Sequence, residues 1–248
     1  MAESFARVET KYMLSLSQAA FLQEGLQRLG FSRSDFGSPK VQSLYYDTPD
    51  HFLIRTSLER PAYKEKLRLR AYGEPGHLTQ SFLEIKKKYR GVVYKRRTPF
   101  PLPDAVRALA CRSFPESAGP VGREALWMAE RYGLVPAAVI AYDRDAWFSG
   151  ESGVRITFDR NLSFRDWEPD LNVPAENLPL IRHDLRLMEI KTDGVYPLWL
   201  TRLLREAGAE RVHFSKYGLA YRQFILPEKE GIEGSGSNCS IVSLSRGA

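Results

Sequence analysis

The chain has 248 residues, with 36 Lys or Arg against 30 Asp or Glu and a formal net charge of +6. That length can bury a sizeable core, and one strand-rich domain of this size is expected rather than two. The positive balance favours anionic partners such as nucleotides, polyphosphate, nucleic acid or an acidic membrane surface, and no run approaches the ~18 consecutive apolar residues of a bilayer span.

The opening residues, MAESFARVETKY, lack the apolar core of a secretory signal. The two cysteines, Cys111 and Cys239, are not expected to pair, so the chain is read as cytoplasmic. A first strand is predicted over residues 5–14, with Arg7, Glu9 and Lys11 on one face because side chains alternate along a strand. Ser17 is the expected N-cap of a helix carrying Ala20, Phe21, Leu22, Leu26 and Leu29 at helical spacing, ended by Gly30. Residues 41–47 form a β-prone run closed by the turn signal TPD.

Residues 62–72 give the clearest pattern. Lys64, Lys66, Arg68 and Arg70 share one face, and Leu67, Leu69 and Ala71 share the other. A turn at Gly73, Pro75 and Gly76 leads back through 81–88, where Glu84, Lys86 and Lys88 alternate in the same way. After the Arg90-Gly91 turn, residues 92–100 place Val93, Lys95 and Arg97 together, and Pro101 and Pro103 end the strand. Residues 104–134 are helical in character, in two segments. Strands are predicted again at 137–148, containing Arg144, and at 153–158, containing Arg155.

The stretch 161–184 reads as a long loop covering one mouth of the structure. Residues 185–191 form the last strong strand, with Glu189 and Lys191 in phase. An amphipathic helix over 196–207 ends at Gly208, a short helix follows at 216–224, and residues 228–248 have the composition of a flexible tail. The elements predict an α+β domain over 1–227: about eight antiparallel strands closed into a barrel, or tunnel, with flanking helices.

With the charged faces turned inward, such a barrel encloses a lumen of Lys, Arg and a few Glu, suited to a polyanion and a metal ion. Each set also has a plainer reading. Lys64 to Arg70 could be a solvated strand face, since edge strands use Lys in that way, but Arg68 and Arg70 carry planar donor forks that match phosphate oxygens. The run EIKKKYRGVVYKRR could be an exposed basic hairpin. Glu189 with Lys191 could be a buried ion pair, which is costly without further partners. In the functional reading Glu189 is a ligand of Mg²⁺ or Mn²⁺, with Glu9 and Glu84 as weaker candidates. Arg144 or Arg155 could be paired structurally with Asp143, Asp145 or Asp159. Lys216 sits where an ammonium and helix N-terminal N–H groups can meet an anion. The four histidines show no metal spacing, and neither a phosphate-binding glycine loop nor a GxSxG elbow is present.

Taken in order, RVETKYML, SLYYDTPD, KLRLRAYG, FLEIKKKYRGVVYKRR, YDRDAWF, VRITFDRNL, LMEIKTDG and FSKYG resemble the VTC domain of polyphosphate polymerases, within the triphosphate tunnel metalloenzymes. The likeness runs over about residues 5–224. It implies an eight-stranded tunnel that binds a nucleoside triphosphate and a divalent metal, Mn²⁺ or Mg²⁺, and transfers the γ-phosphate to a growing polyphosphate chain. It implies a catalytic set of Lys11, Arg68, Arg70, Lys86, Arg144, Arg155 and Lys191. Lys95, Arg97 and Lys216 are implied as substrate-binding, with Lys66 added from its place on the same strand face, and Glu189 is implied as the metal ligand, with Glu9 and Glu84 kept as the weaker candidates of the residue reading.

Arg7 stands where the related CYTH branch opens its ExExK pattern with an acid, which favours the VTC branch. His213 stands where another lysine is expected, so product is expected to be held less strongly at the tunnel mouth. The membrane-spanning and inositol-phosphate-sensing domains of eukaryotic relatives are absent from the sequence, so coupled export and that regulation are not expected.

Phosphoryl transfer asks for alignment and charge neutralisation rather than covalent chemistry. An anionic acceptor needs no strong base, so the small number of inward acids favours a transferase over a tri- or polyphosphate hydrolase. A non-catalytic polyanion-binding module is the other alternative, but it leaves Glu189 and Glu9 without a role. RNA binding calls for aromatics in phase with the cations, and Tyr63 and Tyr89 fall out of phase.

Overall fold

In the computed structural model of the chain, the residues described are 8–34, 40–90, 92–149 and 153–229. Arg7, the start of the first predicted strand, Cys239 and nearly all of the predicted tail lie outside them. The elements run β1 (Val8–Ser15), α1 (Leu16–Arg28), β2 (Ser32–Arg33), β3 (Lys40–Asp47), α2 (Phe52–Leu58), β4 (Tyr63–Tyr72), β5 (Gln80–Tyr89) and β6 (Val92–Pro101). Then follow α3 (Leu102–Ala110), α4 (Gly119–Tyr132), β7 (Val135–Phe148), β8 (Arg155–Arg165), β9 (Leu178–Pro179), β10 (Leu185–Thr192) and α5 (Leu198–Glu206). The described chain ends in α6 (Lys216–Ala220), a π-helical turn over Tyr221–Ile225, and α7 (Leu226–Lys229).

One antiparallel sheet has the order β1-β10-β8-β7-β3-β4-β5-β6, with β2 on β7 and β9 on β8. The barrel predicted from sequence is not closed by hydrogen bonds, because the end strands β1 and β6 share no ladder. The outer edge of β1 is taken by another segment: Tyr12 bridges Arg211 and the Val212 N–H donates to the Lys11 carbonyl at 2.8 Å. On β6, exposed Lys95, Arg96 and Arg97 defend the edge against strand pairing. Side chains still span the seam, with Lys86 on β5 reaching Glu9 on β1 at 3.8 Å.

Alternation in the strands produces three apolar clusters. The outward Leu67, Leu69, Leu83 and Ile85 bury against Leu102, Leu109, Met128 and Ala129 of α3 and α4. The outward Tyr12, Leu14, Ile156, Phe158 and Ile190 bury against Leu22 and Leu26 of α1 and Leu200 and Leu204 of α5. Gly25 lets these two helices approach closely, since a Cβ there would lie 2.5 Å from Leu203 Cδ1. The third cluster is on the inner face: Tyr45, Ala138, Ile140, Tyr142, Phe164 and Leu187 bury against Tyr217, Ala220, Tyr221 and Ile225. The C-terminal helices therefore fill the end of the concavity between β3, β7, β8 and β10. The β4–β5 wall stays basic to its end at Lys64 and Lys88.

Two local expectations change. Helix α1 is capped by Ser15, not Ser17, through a capping box with Gln18. The predicted loop at 161–184 begins later. Asn161 takes a left-handed φ of 53° at a register shift, and β8 then resumes with Leu162 and Phe164 buried. The remaining loop divides between the two faces, with Leu180 and Ile181 buried in the inner-face cluster beside Tyr217 and Tyr221. Arg165 gathers the carbonyls of Glu168, Asp170 and Val173, and Leu171 is buried in the outer α3–α4 cluster.

Candidate functional site

The registers bring the predicted cations onto one concave face. Arg68 pairs across to Tyr45 and Glu84, Glu84 to Arg97, and Lys66 to Lys86, which pairs to Lys95. On the other wall Glu9 pairs with Lys191 and Lys191 with Arg155, while Lys11 pairs with Glu189 and Glu189 with Thr157. Arg144 lies opposite Asp159. Because side chains at directly opposed positions point to the same side of a sheet, each row continues the inner face of the next.

Glu84 is 1% exposed and forms the first charge cluster. Arg68 donates to it from Nε at 2.8 Å and approaches it through Nη2 at 2.6 Å; Lys95 lies at 2.6 Å and Arg70 at 4.0 Å. Arg68 also donates from Nη1 to the Tyr45 hydroxyl at 2.8 Å, and Arg70 donates to Ser43 Oγ at 3.2 Å. Burial raises the Glu84 carboxyl, but Arg68, Arg70 and Lys95 outweigh it and hold the pKa at about 2.

The second cluster surrounds Asp159 and Glu189. Arg144 donates to both oxygens of Asp159 at 2.6 and 2.7 Å and to Glu189 at 3.3 Å, and Lys216 reaches Asp159 at 2.7 Å and Glu189 at 3.1 Å. Both cations lie over the Tyr142 ring, at 5.0 and 4.5 Å. Ser215 caps α6 and accepts from Lys66 at 3.2 Å, so the helix start that carries Lys216 is tied to β4. Burial raises the Glu189 carboxyl, and Lys216, Lys11 and Arg144 overcome it to keep the group well below the ordinary carboxylate range.

Glu9 links the seam to this cluster. Lys11 lies 3.1 Å from Glu9 and 3.8 Å from Glu189, while Lys191 and Lys86 approach Glu9 at 3.7 and 3.8 Å. Burial again raises the acid, and Lys11, Lys86 and Lys191 bring it down to about 2. Arg155 and Arg97 are exposed at the rim, Arg97 over the Phe82 ring at 4.7 Å.

All the predicted site residues thus face one concavity, but the three predicted metal ligands do not form one group. Among the described residues no cluster of three or more His, Cys, Asp or Glu is placed to hold a metal. Glu84 belongs to its own cationic cluster. Glu9 and Glu189, both within reach of Lys11, fit the donor chemistry of a hard divalent ion, which takes one or two carboxylates and completes its shell with phosphate oxygens and water.

Sequence reasoning missed Asp159 as more than an arginine partner, and it missed Tyr45, Tyr142 and Ser215. Phase could have found the first three. Asp159 is two and four residues beyond Thr157 and Arg155, Tyr142 is two before Arg144, and Tyr45 is two beyond Ser43.

The sequence matches the VTC domain family over residues 6–225, and the chain belongs to that family. No curated protein matches it. Among solved structures, the fold is similar to a "putative adenylate cyclase" from Bacillus halodurans, with a TM-score of 0.52, 13% identity, and coverage of 88% of this chain and 99% of that one. A Pyrococcus horikoshii protein matches with a TM-score of 0.48 and 17% identity, covering 87% of this chain and 98% of its own. At these identities the likeness concerns the fold alone. Among the described residues no helix is long and apolar enough to cross a membrane.

Proposed function

We propose that the protein is a polyphosphate polymerase that transfers the γ-phosphate of a nucleoside triphosphate, ATP in the first instance, onto the end of a polyphosphate chain. The observation that carries this reading is the convergence of Lys11, Arg68, Arg70, Lys95, Arg144 and Lys216 on one concave face. A fixed cationic wall in a partly desolvated site neutralises the equatorial phosphoryl oxygens as charge redistributes, and it aligns donor and acceptor. Arg68, Arg70 and Arg144 offer bidentate donors; Lys11, Lys66, Lys95 and Lys216 offer point charges.

Glu9 and Glu189 would hold Mg²⁺ or Mn²⁺, which supplies charge neutralisation between phosphoryl oxygens when bound. In the absence of an anion these acids keep the cations in place. Their depressed pKa values make Glu9, Glu84 and Glu189 poor general bases near neutrality. That supports a transferase using an already anionic acceptor over a hydrolase, which must activate water.

The test is to supply the purified protein with ATP and Mn²⁺ or Mg²⁺ and resolve the phosphate products. Long-chain polyphosphate is expected; orthophosphate alone would make the protein a hydrolase, and binding without turnover would make it a polyanion-binding module.

A further inference from the structure

The inner wall changes character at one end. On β4 the inward positions run Lys66, Arg68, Arg70 and then Tyr72; on β5, Phe82 precedes Glu84 in the same phase. Tyr72 and Phe82 meet edge to face, with centroids 5.9 Å apart and planes at 78°, and Arg97 caps the Phe82 ring at 4.7 Å. Tyr72 keeps 47% of its surface exposed. On β4 the start of α6 is tied to the other end, through Lys66 and Ser215, while across β3 Tyr72 is opposed by Val41 at the margin of the buried inner cluster. An aromatic pair, Tyr72 exposed and Phe82 half-buried, therefore borders the cations at the end of β4 away from Lys66.

We propose that Tyr72 and Phe82, with Arg97, form a stacking platform for the nucleobase of the phosphoryl donor. The inference rests on the polymerase reading and adds a base subsite to it. Arg70 and Tyr72 are two residues apart on one strand face, roughly 7 Å, a gap that a ribose can bridge between a phosphate on Arg70 and a base on Tyr72. A π-face and a neighbouring guanidinium attract any base without reading its edge. The subsite therefore separates nucleoside triphosphates from inorganic tripolyphosphate and discriminates little among bases. The same pair would not help a polyphosphate chain bind, so the donor and the product differ in the contacts they make at this end.

The experiment is a calorimetric comparison of ATP and tripolyphosphate binding to the wild type, Tyr72→Leu, Phe82→Leu and Tyr72→Phe. Both leucine variants are expected to weaken ATP about tenfold, within the range for loss of one base–aromatic stack, and to leave tripolyphosphate within twofold. Tyr72→Phe should keep wild-type affinity for both. Equal weakening of the two ligands would show that the aromatics only support the cationic wall, and unchanged ATP binding would remove the platform; either result overturns the inference. If the wild type binds neither ligand, the polymerase reading itself fails, whatever the variants do.

Discussion

At the scale of single residues, Glu189 faces Lys216, Arg144 and Lys11 at once. Glu189→Gln keeps the volume and removes the charge. We expect turnover to fall at least a hundredfold while circular dichroism and cooperative unfolding are retained, since Asp159 still pairs with Arg144 and Lys216. Full activity would remove Glu189 from the site. Titration gives a second expectation. Burial raises the Tyr45 phenol, but Arg68, Lys66 and Arg70 bring it down to about 7. Burial lowers Lys66 and Lys95, each to about 8. Between pH 7 and 9 the wall therefore gains a phenolate and loses ammonium charge, so tripolyphosphate affinity should fall over that window. Tyr45→Phe should flatten its lower part, read by calorimetry at fixed ionic strength. Folded Tyr45, Lys66 and Lys95 all release protons at lower pH than they do unfolded. Through these groups the unfolded chain binds more protons, and the stability of the free protein should rise as pH climbs from 7 to 10. The alternating cations and Glu189 could be read from the sequence, because a period of two survives in the letters. The depressed Tyr45 could not, since its acidity comes from Arg68 and Lys66 on the neighbouring strand.

At the scale of elements, the C-terminal helices hold the cationic wall from below. Ile225 is buried in the inner cluster with Tyr217 and Tyr221, and Tyr217 stacks on Tyr45 with centroids 4.8 Å apart. Ile225→Ala should cost about 2–5 kcal/mol in denaturant unfolding, the range for truncating a buried aliphatic side chain. Because α6 begins at Lys216, the same variant should also weaken tripolyphosphate binding; a loss of stability with unchanged affinity would separate the helix from the site. Local patterns made β4 and the first half of β5 legible, since Lys66, Arg68 and Arg70 alternate with Leu67, Leu69 and Ala71, and Glu84 and Lys86 with Leu83 and Ile85, whereas Lys87 and Arg96 break the phase and face outward to Glu124. They failed where geometry is set at a distance. The left-handed Asn161 hid the second half of β8, and the burial of α6 and of the π-helical turn after it against the inner face depends on partners from four strands.

At the scale of the whole molecule, the sheet is an open path in which Lys86 of β5 reaches Glu9 of β1 and the 211–216 segment runs from β1 to Lys66 of β4. Sequence could count strands and alternate their faces, but whether two edge strands pair depends on what else occupies those edges, and here Arg211 and Val212 lie against β1. The account depends on the inner cations acting on phosphate while equal charges on the outside do not. Arg96 is the matched control: it lies on the same edge strand as Lys95 but faces outward, to Glu124 at 3.0 Å. The decisive measurement is the affinity for tripolyphosphate of Arg68→Ala, Arg144→Ala and Arg96→Ala at one salt concentration. We predict at least a tenfold loss for each inner variant and less than a twofold change for Arg96→Ala. Similar losses in all three would mean that phosphate is held by net charge and not by the concave face.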